Sequence, residues 1–510
     1  MGKVFAAIDV GSYEIAIKIF EISDKGKLKI LDNARRRIDL GTDSYNMGKL
    51  SSEHMDELCD TLSSFRQIMK TYKVTEYKAY ATSAIRELKS AYTVLDQIYL
   101  RTGLKVEIIS NSEQRFLNLK SIAVDNNRFS ELTKEGVAVL DIGGGSIQVS
   151  IFSDNELLSS LNLDLGILRI RDRLHDFMVS FKHYEGYIEE IVDSELHIFR
   201  KLYLKENPVK NLIIVDDYIS FMLDEIEKND PVKDRIVNSE IFNSFVEEIK
   251  VKNPEELAKY LKIPEENAEL ILPSAILINH FIESTGAKNI WLPGVTLSDG
   301  IGFDYAQRKG LIKSDHDFVQ DTLSSARNIS RRYKGSKRRG NSLEMVSLAI
   351  FDTLKKMEGF SKRDGLLLQL AAILQDCGKY ISTRAAGECG YNIIMNTEIL
   401  GISHNERVMV ANIVRQSFTN DILIKVNEDN LSTEEKALVA KLTTILKLGL
   451  GLARSQKKWF FDVDCNVKGK ELTILLSTSS DISLERGLFK QFVPAFKDVY
   501  GLDVVVKGVK

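Results

Sequence analysis

Cysteine is scarce. The 510 residues hold four, Cys59, Cys377, Cys389 and Cys465, scattered without the paired spacing of a metal site. That excludes a visible disulfide framework and points to a reducing compartment. No uninterrupted apolar stretch approaches the ~20 residues of a membrane span. Met1 to Phe5 run straight into a strand pattern, so no leader peptide is expected. The expectation is a cytoplasmic protein with no membrane partner. A surplus of one charge is missing too: Lys+Arg 69 against Asp+Glu 72 gives a formal net charge of -3. That argues against a nucleic-acid coat, and no specific nucleic-acid partner is expected. Histidine is thin, with His404 alone between 317 and 510, and His54, His175, His183, His197, His280 and His316 have no ligand-like spacing.

What is present is an ordinary globular composition, 44% hydrophobic and 28% charged, with only 7 prolines. The chain is too long for one core, so several domains are expected. Period-two alternation predicts strands at Val4 to Asp9, Glu14 to Glu21 and Lys27 to Asp39. Met55, Leu58, Leu62, Phe65, Ile68 and Met69 recur at helical spacing over 51–72. A strand at Tyr77 to Ile85, a helix over 91–101 closed by Gly103 and a strand at Val106 to Ser110 continue an α/β alternation. Residues 167–290 read as mostly helical, ending in a strand at Asn289 to Leu292. From 315 to 455 the pattern is almost wholly helical, and the tail reads strand, strand, helix, strand from Trp459 to Val506. The basic stretch Arg327 to Asn341 reads as a linker or the rim of a cleft, able to steer a polyanion.

Ala7-Ile8-Asp9-Val10-Gly11-Ser12-Tyr13-Glu14-Ile15 is echoed by Val139-Leu140-Asp141-Ile142-Gly143-Gly144-Gly145-Ser146-Ile147, and the register persists through Ile19-Phe20 and Ile151-Phe152. An internal duplication starting near residue 135 implies two similar lobes. A tight turn between strands can aim backbone N–H groups at one point, and glycine permits the positive φ and close approach of an anion nest. Gly11-Ser12 and Gly143 to Ser146 meet that description. Asp9 and Asp141, each ending the preceding strand, are placed to hold Mg²⁺ beside the phosphates it neutralises. One Asp-x-Gly turn is ordinary turn chemistry. Two in matched register point to a phosphate chain gripped between them.

The motifs also fall in a recognisable order: Asp-x-Gly-Ser, then Ala81-Thr82-Ser83-Ala84-Ile85-Arg86, Glu107-Ile108-Ile109-Ser110, Asp141 to Ser146, and Leu165-Gly166-Ile167-Leu168-Arg169. Over nearly all of residues 1–305 the chain resembles the exopolyphosphatase and guanosine-pentaphosphate phosphohydrolase (Ppx/GppA) family. The resemblance implies an α/β fold of two actin-like ATPase (ribonuclease H-like) lobes at 1–130 and 131–310. An all-α HD-like domain at 311–456 and a small α+β module at 457–510 would follow. It implies Mg²⁺-dependent hydrolysis of the terminal phosphoanhydride of polyphosphate or guanosine pentaphosphate, the motifs not distinguishing the two, and a homodimer as a common family state. Gly11, Ser12, Tyr13, Arg86, Gly143, Gly144, Gly145, Ser146 and Arg169 would contact phosphate, and Asp9 and Asp141 the metal. Gly294 to Gly300 resembles the turn closing the second lobe near the ligand. A sugar or acetate kinase of the same superfold shares the loops but not the ordered motifs.

The pattern then breaks. The family's water-activating carboxylate is the second glutamate of a Ser-Gly-x-Glu-Glu-type motif; this chain has Ser110-Asn111-Ser112-Glu113-Gln114, leaving Gln114. A second family glutamate, seven positions after the glycine-loop aspartate, is Gln148. Glutamine keeps the reach of glutamate but takes up no proton at pH 7, and loss of a general base costs ~10²–10⁴ in rate. Glu14 and Glu113 are the substitute bases on offer. Two expectations stand: a weakened phosphoanhydride hydrolase, or a catalytically silent sensor of polyphosphate or guanosine tetraphosphate. In the HD-like segment, Gln375-Asp376 occupies the His-Asp position, and the later histidine pair is missing from Thr383 to Cys389. His404 cannot build a site that needs several imidazoles. A scaffold or binding surface is expected there, with Cys377 and Cys389 as packing.

Overall fold

The computed structural model describes residues 3–23, 28–123, 126–176, 183–204, 209–216, 218–229, 232–313, 316–419, 431–453, 462–479 and 481–509. They form two compact units, Met1–Asp321 and Thr322–Lys510. Two mixed sheets organise the first unit. Strands β1 (Lys3–Val10), β2 (Glu14–Ile22), β3 (Leu28–Arg37), β4 (Glu76–Ala81) and β5 (Glu107–Ile108) lie in the order β3-β2-β1-β4-β5. Strands β6 (Val137–Ile142), β7 (Ile147–Ser153), β8 (Glu156–Leu163), β9 (Asn211–Asp216), β10 (Ile236–Asn238) and β11 (Asn289–Trp291) lie in the order β10-β11-β9-β6-β7-β8. All six residues of β6 are buried, as the apolar run Val137 to Leu140 requires of a central strand, and Asp141 is buried with them.

The duplication is written into the hydrogen bonds. Val10 pairs with Ile15 and Asp9 with Ala16 across β1 and β2; Ile142 pairs with Ile147 and Asp141 with Gln148 across β6 and β7. The Gly11 N–H donates to the Glu14 carbonyl at 3.1 Å, and the Gly143 N–H to the Ser146 carbonyl at 3.0 Å. Even the irregularity repeats: pairing to the third strand slips at Ile19/Phe20 in one copy and at Ile151/Phe152 in the other. Each hairpin then takes a parallel neighbour, β4 on β1 and β9 on β6.

Helices cover both sheets. Ser52–Thr71 buries Met55, Leu58, Leu62, Phe65 and Met69 on one face, within a core shared with Ile8 and Ile17. Leu297–Arg308 follows the second sheet in sequence yet packs on the first, setting Leu297, Ile301 and Tyr305 against Phe5, Ala7 and Phe20. Its approach to the Asn111–Ile122 helix needs a residue without a side chain. A Cβ on Gly300 would lie 2.0 Å from the Leu117 carbonyl oxygen.

In the second unit, the helices Lys337–Glu358, Lys362–Leu374, His404–Gln416 and Thr433–Leu452 share one core with the sheet of β12 (Asp462–Lys468), β13 (Glu471–Ser477) and β14 (Asp503–Val509). The stretch 327–341 is a helix, a short turn at 333–336 and a second helix, not a linker. Arg and Lys are good helix formers, and Ser336 accepts the Arg339 N–H as N-cap. Strands β9 and β10 interrupt the segment read as mostly helical, because a short buried apolar run looks alike in strand and helix. The tail's first strand is expected to start at Trp459, and residues 459–461 lie outside the described residues. Among those residues no helix is long and apolar enough to cross a membrane.

Candidate functional site

The two duplicated loops face one another. Asp9, Gly11, Ser12, Tyr13 and Glu14 from the first, and Ile142, Gly143 and Gly144 from the second, line one cavity of about 60 Å³. Its tightness has a sequence cause. A Cβ on Gly144 would sit 2.7 Å from a Leu168 methyl and 3.2 Å from Ser12 Cβ, and one on Gly41 would sit 2.6 Å from the same methyl. A Cβ on Gly166 would lie 2.1 Å from the Gly144 carbonyl oxygen. The positive φ expected of an anion nest is absent: Gly11, Gly143, Gly144 and Gly145 all lie outside the left-handed region. Hairpin turns of this register need no left-handed residue, so glycine serves here for close approach.

A cluster of hydroxyls stands beside the loops. Ser12 Oγ is 2.7 Å from the Tyr45 hydroxyl and 2.9 Å from Ser83 Oγ, and Tyr45 to Ser83 is also 2.9 Å. Burial pushes the Tyr45 phenol above its ordinary pKa, although its bonds to Ser12 and Ser83 oppose the rise, so it stays a neutral hydrogen-bonding group. A Cβ on Gly145 would meet that hydroxyl at 2.2 Å. Two arginines of the Ile167–Asp176 helix fasten the lobes together. Arg169 donates to the Gly145 carbonyl at 2.7 Å, pairs with Glu87 and lies 4.4 Å from the Tyr45 ring centre. Arg171 pairs with Asp39 at 3.0 Å and donates to Thr42 Oγ1 at 2.6 Å.

The four sequence candidates for catalysis separate. Glu113 accepts from the Ser110 N–H at 3.0 Å and the Ser110 hydroxyl at 2.8 Å, while Ser110 Oγ accepts the Glu113 N–H. This is a capping box at the start of the Asn111–Ile122 helix, and it commits the carboxylate to the backbone. The Ser-x-x-Glu signal was present in the sequence. Gln114, on the same first turn, is half-buried and is not among the residues lining the cavity. Gln148 is buried opposite Asp141, and its Oε1 has no hydrogen-bond partner among the described residues. Glu14 lines the cavity together with Arg35, which donates to it at 3.1 Å.

Arg86 donates to the Ile109 carbonyl at 2.7 Å and to the Asn111 side chain, bracing the chain where β5 passes into the helix. Arg86, Arg169, Gly145, Ser146 and Asp141 lie outside the cavity lining. Asp141 accepts from the Asn118 amide, one turn beyond Gln114. Thr296 and Ser298 do line the cavity, as the Gly294 to Gly300 resemblance expected. Their segment is pinned by Asp299, which caps Thr296 and pairs with the buried Lys18 at 2.6 Å. Sequence reasoning missed Arg35, Tyr45, Asn118 and Tyr218. Of these only Asn118, at helical spacing from Gln114, carried a local signal.

Among the described residues no group of three or more His, Cys, Asp or Glu is placed to hold a metal. The oxygen donors present, Asp9 in the cavity and Asp141 with the unpartnered Gln148 carbonyl beside it, suit a hard cation that keeps waters and takes phosphate oxygens. In the second unit, Asp376 pairs with Arg339 and, at 2.6 Å, with Lys379. Burial alone would raise its carboxyl pKa, but Arg339 and Lys379 hold it below the usual range. Burial also pushes the neighbouring Cys377 thiol up to about 12, consistent with packing.

The Ppx/GppA phosphatase family model matches residues 19–309, and the model of Ppx/GppA phosphatase domain III matches 323–491. Exopolyphosphatase 1 of Mycobacterium tuberculosis is 26% identical over 163 residues, 32% of this chain and 46% of that protein. The matched stretch thus spans about half the length of such relatives. A guanosine-5'-triphosphate,3'-diphosphate pyrophosphatase of Pseudoalteromonas atlantica is 20% identical over 486 residues, 89% of this chain and 87% of the other. The crystal structure of an exopolyphosphatase from Cytophaga hutchinsonii, 20% identical, covers 61% of this chain and 99% of its own with a TM-score of 0.53. The fold shared there is the two-lobed, actin-like one, and in this chain a helical C-terminal domain follows it.

Proposed function

The chain belongs to the Ppx/GppA phosphatase family, and on that premise we propose that it holds a linear phosphoanhydride chain between its two hairpin loops and slowly releases the terminal phosphate. One observation carries the reading: both copies of the duplicated loop converge on a single cavity whose lining carboxylates, among the described residues, are Asp9 and Glu14. Backbone N–H groups of the loops and the Ser12 hydroxyl supply donors for phosphate oxygens. Arg35 offers a cation for charge developing on them. Glu14 is placed to take the proton from a water as its oxygen bonds to phosphorus and the bridging P–O bond breaks. Its pairing with Arg35 competes with that water, so turnover is expected to be slow. Asp9, Asp141 and the Gln148 carbonyl are the groups that would hold Mg²⁺, which when bound neutralises charge on the chain. A cavity of about 60 Å³ is small for a phosphate chain, so binding is expected to widen the cleft.

The names of the relatives support two ligand classes, inorganic polyphosphate and guanosine pentaphosphate. The helical domain is read as HD-like without its metal ligands, and the protein as a cytoplasmic homodimer. A second reading, a silent sensor of polyphosphate or guanosine tetraphosphate, is favoured by the capture of Glu113 in its capping box beside the neutral Gln114. Phosphate release from each ligand with and without Mg²⁺, alongside calorimetry, separates the readings. Slow Mg²⁺-dependent release supports the hydrolase, and heat of binding without release supports the sensor. The absence of both removes the cleft as a phosphate site.

A further inference from the structure

The second unit holds a cavity of about 670 Å³, much larger than the loop cleft, a size that accommodates small organic ligands. It is built where the HD-like metal position would be, and its chemistry has been inverted. Among the described residues, Lys334, Arg339 and Lys379 line it against one carboxylate, Asp376, and Arg339 and Lys379 both pair with that acid. The lining therefore keeps a surplus of positive charge. Arg339, only 12% exposed in its side chain, presents a guanidinium held in place, the geometry that suits phosphate.

Aromatic residues complete the pocket: Tyr333, Tyr380, Phe418 and Phe492. The Tyr333 and Tyr380 rings meet edge to face at 5.9 Å, and Lys379 lies 5.7 Å from the Phe418 ring centre. Tyr380 is 61% exposed, a costly position for a ring that serves only packing. Gln375 also lines the cavity and is 2% exposed; its amide nitrogen reaches Ser417 Oγ at 3.4 Å, while its Oε1 has no partner among the described residues. A buried acceptor left open beside a cavity calls for a donor from whatever fills it.

We propose that this pocket binds a purine nucleoside phosphate. The phosphates lie against Lys334, Arg339 and Lys379, the base packs on Tyr380 and Phe418, and the base edge or sugar supplies the donor for Gln375. A bare polyanion would satisfy the cations but leave the rings and Gln375 unused, and a flat apolar ligand would leave the cations unanswered. The site is separate from the loop cleft, so it stands or falls on its own test.

Calorimetry on the full chain with ADP and GDP as probes, and inorganic pyrophosphate as a probe without a ring, tests it. Nucleotide binding should be at least roughly tenfold tighter than pyrophosphate binding. Lys379→Gln should weaken both, and Phe418→Ala should weaken the nucleotides while leaving pyrophosphate unchanged. Lys379 is exposed and Phe418 half-buried, so both variants are expected to fold. No heat from either nucleotide would overturn the proposal. Equal affinity for pyrophosphate would do the same, as would nucleotide binding that both variants leave intact.

Discussion

The β1–β2 and β6–β7 hairpins have one backbone and two chemistries. Register, turn closure and even the slipped pairing to the third strand coincide. The side chains do not. Where the first loop carries Tyr13-Glu14 the second has Gly145-Ser146, and where the second hairpin buries Gln148 beside Asp141 the first has Ala16 beside Asp9. Backbone geometry in a two-stranded turn tolerates many residues. Protonation chemistry does not, because it needs a particular carboxylate at a particular place. The copies could thus diverge in function without diverging in shape.

The largest expected effect tests whether the first loop carries the reactive carboxylate. Glu14→Gln should lower phosphate release by roughly 10²–10⁴ while calorimetric binding of polyphosphate stays within about threefold, since Gln keeps the shape and reach of Glu. Release that survives the change would move the base elsewhere in the cleft. A smaller effect should separate the two turns mechanically. A Cβ at Gly11 would lie 2.7 Å from the Glu14 carbonyl oxygen, whereas the equivalent contact at Gly143 is 3.3 Å, to Ser146. Gly11→Ala should therefore cost about 1–3 kcal/mol, as overpacking does, and Gly143→Ala less than about 1 kcal/mol. Denaturant unfolding of the two variants would expose any equality between them.

The duplicated hairpins could be read before any coordinates because strand alternation and an ungapped repeat are local signals. The neighbourhood of the loops could not. Tyr45 reaches Ser12 only because the Gly41 N–H bonds the Ser12 carbonyl at 2.7 Å and tucks the Leu40–Met47 helix against the turn. Nothing in Leu-Gly-Thr-Asp-Ser-Tyr-Asn-Met announces a buried face. The helix that carries Ser298 crosses to the first sheet, a contact between residues far apart in sequence, and only the Gly294 to Gly300 resemblance pointed there. Glu113 is the opposite case: its capping role is legible in Ser110-x-x-Glu113, a local signal like the strand alternation.

The second hairpin invites a gain rather than a loss. Gln148→Glu would set a second carboxylate opposite Asp141, where Gln148 now presents a neutral oxygen with no partner. Mg²⁺ affinity, measured through the metal dependence of phosphate release or of ligand binding, should rise by roughly tenfold. The matching change Ala16→Glu in the first hairpin should give no such gain, because Asp9 already shares its cavity with Glu14. Equal responses would mean that the two copies are still interchangeable around the metal.

The smallest effect bears on the residue that most resembles the missing base. Glu113 holds the Ser110 N–H and hydroxyl, so Glu113→Ala should remove half of a capping box and lower stability by about 1 kcal/mol. Glu113→Gln should retain most of that, because an amide oxygen still accepts from the Ser110 N–H. Phosphate release should change less than about twofold in either variant, whereas a general base would lose ~10²–10⁴. The two measurements pull apart. A stability change without a rate change leaves Glu113 as the cap of its helix and Glu14 as the only tested carboxylate able to take the proton. A rate collapse in Glu113→Gln, with stability kept, would return catalysis to the helix and make the first loop a phosphate clamp alone.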